Sequence, residues 1–156
     1  MGAMSRRVLL WIAFVLVHLA VVVLANHLPS QPMGDVYNVY EPWSAHAIHG
    51  QGIVGITEKW IYPQLALIPM VLAWPFTFFG AIGYTPAWAM FVTLVDALVF
   101  WMLVGRGISR GRTTAAWFWL AAILFLGPVA IYLLDAITVA LGIAGCLWLV
   151  RRPWLG

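Results

Sequence analysis

Charge is what this chain has least of. Of its 156 residues, 8% are charged and 64% are hydrophobic. A water-soluble domain carries about 25% charged residues. No soluble fold of this length hides so much apolar surface, so the composition implies an all-α, multi-pass membrane protein. Cysteine is nearly absent too. Cys146, alone inside an apolar run, excludes an internal disulfide, a CxxC pair and a cysteine-based zinc motif, and it carries no information about compartment. Lysine occurs once, at Lys59. A Gly-rich phosphate loop, HExxH, GxSxG and a cysteine nucleophile are all missing, which removes the common nucleotide, metalloprotease and serine or cysteine hydrolase chemistries. The net charge of +3 would fit a nucleic-acid partner, but membrane topology accounts for it better and no nucleic acid is expected.

What is present is a set of long apolar runs. Ser5-Arg6-Arg7 precedes Val8–Ala25. That run exceeds the roughly 7–15 residues of a signal-peptide core, so it reads as an uncleaved first span with a cytoplasmic start. His18 inside it reads as a ring hydrogen-bonded to a neighbouring helix. Residues 26–60 then form an extracytoplasmic loop. Pro29, Pro32 and Gly34 break helix there. Asp35 suits an N-cap for a short segment from Val36, Glu41-Pro42 interrupts it, and Pro42 suits the first turn of a second helix. His46 and His49 are three apart and would share a face.

Ile61–Phe79 is apolar but holds Pro63, Pro69 and Pro75. A proline inside a helix costs about 3 kcal/mol, so residues 61–80 read as a re-entrant or interfacial segment and not as a simple span. Pro86–Val104 is a clean span, followed by Arg106, Arg110 and Arg112. Further spans are expected at 114–131, bent at Gly127-Pro128, and at 136–150, before Arg151 and Arg152. With four crossings, all seven arginines fall on the N-terminal side, as the positive-inside rule prefers. Both termini are then cytoplasmic. Asp96, in mid-span, is expected to be protonated or hydrogen-bonded towards the bundle interior.

The polar content is concentrated between Gly34 and Pro63, which holds Asp35, Glu41 and Glu58 along with His46, His49, Lys59 and five aromatics. A carboxylate at a lipid–water boundary can act as a general base, because partial desolvation raises its pKa. The string Gly34-Asp35-Val36, Tyr40, Trp43, a Gly-rich break, then Trp60-Ile61-Tyr62-Pro63-Gln64-Leu65 through Pro69-Met70 resembles the first outer loop of the polyprenyl-phosphate-dependent GT-C glycosyltransferases. It is similar to the bacterial branch of glycosyltransferase family 87, with its actinobacterial mannosyltransferases. Asp96, Arg106–Arg112, Gly127-Pro128, Asp135 and Arg151-Arg152-Pro153 follow in a similar order.

The resemblance implies transfer of a sugar, often mannose, from a polyprenyl-phosphate carrier to a lipid or glycan acceptor hydroxyl outside the cytoplasm, with inversion. It implies Asp35 as catalytic base and Tyr37, Tyr40, Glu41, Trp43, Trp60, Tyr62 and Asp135 as substrate-binding residues. No cofactor beyond the lipid-linked donor and no metal site are expected: Asp35 and Glu41 are six apart with a proline after, a poor basis for shared ligation. Such enzymes are longer and hold the leaving phosphate with cationic residues further along. The expectation is therefore an N-terminal part, a truncated product or one half of a split enzyme, inactive alone and completed by a second membrane subunit. Two other readings stand beside it: a non-catalytic partner subunit or assembly factor on the same scaffold, and a small transporter built on Asp96 and His18.

Overall fold

The computed structural model describes residues 3–52, 55–57, 60–79, 82–105 and 110–151. Glu58, Lys59, Arg106, Arg152 and Pro153, which the sequence reading used, lie outside them. The chain is all-helical among those residues. α1 runs from Ala3 to His27, α2 from Glu41 to Ile48, α3 from Leu67 to Leu72, α4 from Tyr84 to Val104, α5 from Arg110 to Leu126, α6 from Val129 to Tyr132 and α7 from Asp135 to Arg151. Two helices are long and apolar enough to cross a membrane, α1 and α4. α5 and α7 are apolar but, at 17 residues, about 26 Å long, shorter than a typical hydrocarbon core of about 30 Å.

α1 and α4 run antiparallel. The Arg7 guanidinium near the start of α1 donates to the Gly105 carbonyl at the end of α4, at 2.6 Å. Arg112, near the start of α5, lies against Gly105 as well, so closely that a Cβ there would strike its guanidinium. Gly105 caps α4 in the left-handed region, φ 62°, where only glycine is unstrained. Three cationic or cation-binding helix ends therefore meet on one side of the bundle. Around Phe14 and Phe100, Leu10, Val104, Ala116 and Leu120 close an apolar core between α1, α4 and α5.

At the other end the proline-bearing stretch is broken, as its composition demands. Gln64–Ala66 and Trp74–Phe78 are 3₁₀ turns flanking the six-residue α3. Pro63 precedes the first turn and Pro75 sits in the opening of the second, where a missing N–H costs nothing. This stretch packs against the first half of α4: Tyr84 donates its hydroxyl to the Met70 carbonyl at 2.7 Å, Trp74 contacts Tyr84 at 5.1 Å, and Phe76 contacts Phe91 at 5.9 Å.

Three local expectations are corrected. Asp35 precedes the helical segment Val36–Tyr40, but its side chain makes no capping bond. That segment is also not interrupted before α2. It is a π-helical turn in which the Glu41 N–H bonds the Val36 carbonyl, and it runs directly into α2. A wide turn absorbs the missing N–H of Pro42 without ending the helix. Finally, Gly127 and Pro128 end α5 rather than bend it: Gly127 has φ 60° and Pro128 caps the short α6.

Candidate functional site

The π-helical turn places Val36 and Tyr40 inward, both buried, and Tyr37 outward. Tyr40 rests on the fully buried Trp88 of α4 at 4.8 Å. Its hydroxyl accepts the Leu134 N–H at 3.3 Å, which ties the outer loop to the joint between α6 and α7. Burial pushes the Tyr40 phenol well above its ordinary range, and the adjacent Tyr62 hydroxyl adds to this. Tyr40 therefore stays a proton donor throughout the physiological range.

Tyr62 stands 6.0 Å from Tyr40, ring to ring, and its hydroxyl donates to Asp35 Oδ2 at 3.5 Å. That distance is at the outer limit of a hydrogen bond. The Asp35 carboxylate is half-buried, lies in the helical turn that leads into the π-helical segment, and is only loosely engaged by its neighbour. Trp43 and Trp60 extend the wall, 4.9 Å apart and each 6.2 Å from Tyr62. The Trp60 indole nitrogen is buried without a hydrogen-bond partner among the described residues. One carboxylate, two phenols and two indoles thus share one end of the bundle.

The remaining candidates divide. Asp135 opens α7, exposed and next to Leu134, so it borders the cluster. Glu41 is half-buried, and desolvation raises its carboxyl above the usual carboxylate range. Tyr37 points elsewhere: its hydroxyl donates to Gln31 Oε1 at 2.7 Å, on the side of the π-turn away from Tyr62. His46 lies within α2, while His49 caps its end and is exposed. No group of three metal-ligating side chains comes together among the described residues.

Ser44 was not singled out from the sequence, yet it organises the support of the cluster. Fully buried, it donates to the Tyr40 carbonyl at 2.5 Å and accepts the Trp74 indole N–H at 2.8 Å. It locks α2 to the turn Trp74–Phe78. A serine four residues after Tyr40 on a helix was a usable signal, since Ser bonds back to the i−4 carbonyl. Its partner 30 residues away was not.

A second polar cluster lies deep in the bundle. His18 Nδ1 faces the Phe14 carbonyl at 2.9 Å and Nε2 faces Asp96 Oδ2 at 3.1 Å. The Trp119 indole donates to Asp96 Oδ1 at 2.8 Å. The His18 and Asp96 side chains are 6% and 13% exposed. α1, α4 and α5 are thereby joined through one carboxylate. No family model matches the chain, and neither a curated protein nor a solved structure matches it.

Proposed function

We propose that this chain is a membrane glycosyltransferase module that moves a sugar, mannose in the first instance, from a polyprenyl-phosphate carrier to an acceptor hydroxyl. The observation that carries the reading is the half-buried, loosely held Asp35 beside an aromatic wall of Tyr40, Tyr62, Trp43 and Trp60. Asp35 takes the proton of the acceptor hydroxyl as its oxygen attacks the anomeric carbon. The carbon–phosphate oxygen bond breaks, the lipid phosphate leaves with the electron pair, and the configuration inverts. Indole and phenol rings suit the apolar faces of a sugar.

In this reading α1, α4, α5 and α7 cross the membrane and residues 61–80 enter and leave on the outer side. Two features support it. The meeting of Arg7, Gly105 and Arg112 sets the start of α1, the end of α4 and the start of α5 at one level, consistent with the positive-inside rule. The stretch 61–79 also exposes Ile61, Leu65, Ile68, Leu72, Phe78 and Phe79, each at least half exposed.

The test is transfer of labelled mannose from polyprenyl-phosphate mannose in membranes that contain the chain, with and without a second membrane subunit. Asp35→Asn abolishes transfer while the protein level holds; retained transfer removes the assigned base. A second reading, a non-catalytic partner subunit, is favoured by one feature. The arginine side chains described, Arg6, Arg7 and Arg112, lie at the other end of the bundle from Asp35, whereas a leaving phosphate needs cationic stabilisation. In that case Asp35→Asn leaves function unchanged and the protein copurifies with a larger membrane complex.

A further inference from the structure

Between α1 and α4 runs a groove of about 650 Å³ that is separate from the Asp35 cluster: Asp35, Tyr40 and Tyr62 form no part of its wall. It extends along α1 from Phe14 to Asn26, which at the helical rise is about 18 Å. Its rim is built from Val15 and Leu19 of α1 and Met90 and Leu94 of α4, all 40–56% exposed. No Asp, Glu, Lys or Arg lines it among the described residues. His18 contributes to the floor, but both of its ring nitrogens are already engaged, by the Phe14 carbonyl and by Asp96. At the outer end, Asn26, Tyr37 and Thr85 supply an amide and two hydroxyls, none of them charged; the Asn26 amide already donates to the Val22 carbonyl and the Tyr37 hydroxyl to Gln31, so what Asn26 and Tyr37 offer a hydroxyl-bearing head is their oxygens as acceptors.

We infer that this groove holds one hydrocarbon chain of a glycerolipid whose head is uncharged and hydroxyl-bearing, with the head at Asn26 and Tyr37. Shape decides against a protein helix. A helix is about 10–12 Å across, whereas an extended acyl chain is slender enough for a groove of about 650 Å³ drawn out over about 18 Å. Chemistry decides the head. A neutral mouth with hydrogen-bonding groups offers no counter-charge to a phosphate, and burying an unpaired charge there is costly. The inference rests on α1 and α4 lying in a membrane, but not on the sugar-transfer reading.

The test reconstitutes the full chain in phosphatidylcholine vesicles carrying a trace of diacylglycerol with a photoactivatable group on one acyl chain. Irradiation and peptide mass spectrometry then map the adducts. The expected result is labelling concentrated at Val15, Leu19, Met90 and Leu94, several-fold above Phe118 of α5 and Leu141 of α7, which are exposed outside the groove. Met90→Trp, a rim substitution that leaves the core intact, cuts that labelling several-fold, and Leu141→Trp leaves it unchanged. Asn26→Ala lowers it without altering the background. Even labelling over every exposed helix face, with no response to Met90→Trp, sinks the groove while leaving the membrane placement intact. Absence of label from both α1 and α4 removes the membrane placement as well. Equal or stronger labelling by photoactivatable phosphatidic acid overturns the uncharged head, and a Met90-linked dimer of the chain overturns the lipid.

Discussion

Asp35 and Asp96 are the same side chain in opposite settings. Asp96 lies between α1, α4 and α5 with one oxygen on Trp119 and the other facing His18, 13% exposed. Asp35 lies at the open end of the bundle, half-buried, with a single long contact to Tyr62. A buried carboxylate that leaves its partners unmet is expensive, so Asp96 is committed to holding helices together. A carboxylate that keeps lone pairs available at a rim can receive a proton from something that arrives. The difference lies in the number and quality of partners, not in burial alone.

The sharpest way to break this comparison is to swap the outcomes. Asp35→Asn is expected to lower sugar transfer by about 10²–10⁴-fold while changing stability by no more than about 0.5 kcal/mol, read by transfer assay and by thermal unfolding in detergent. Asp96→Ala is expected to do the reverse, costing about 3 kcal/mol of stability by stranding His18 and the Trp119 N–H. The double variant His18→Leu with Asp96→Leu recovers much of that loss, since an apolar pair leaves little unsatisfied. If Asp35→Asn unfolds the protein instead, the two carboxylates are not different in kind.

Smaller effects refine the contrast. Ser44→Ala leaves the half-buried Trp74 indole N–H without its partner and is expected to cost about 1 kcal/mol. Its signature is protease sensitivity in the stretch 61–79. Tyr40→Phe removes the acceptor of the Leu134 N–H and is expected to cost about 1 kcal/mol, read as faster amide exchange at Leu134.

The smallest effect is the pH dependence of Glu41. Burial holds its folded-state pKa above the unfolded value, so the folded protein binds this proton more tightly. Stability from this group is greatest below the ordinary glutamate pKa and falls as pH rises from there through the raised folded value. Glu41→Gln flattens that fall, which unfolding midpoints across mildly acidic pH measure directly.

The helical class and its interruptions were readable from local chemistry. The run after Arg7, apolar but for His18, lies within α1, Pro86–Val104 lies within α4, and three prolines between 61 and 79 forbid a continuous helix there. The π-turn was not readable, because it depends on how one proline at position 42 is accommodated by a segment that is then held down on Trp88. The candidate site was half readable. Tyr40, Tyr62, Trp43 and Trp60 do meet near Asp35, but Tyr37 leaves the group, since a π-turn changes which residues share a face.

What the residues alone determined is what depends on near neighbours in the chain: apolar run length, proline positions, and the clustering of polar groups between Gly34 and Pro63. Tertiary structure alone decided the pairings across long separations: His18 with Asp96, Trp119 with Asp96, Trp74 with Ser44, and Leu134 with Tyr40. The physical reason is that hydrophobicity and helix breaking act locally along the chain. The partner of a buried polar group is whichever complementary group the packed helices bring within about 3 Å of it.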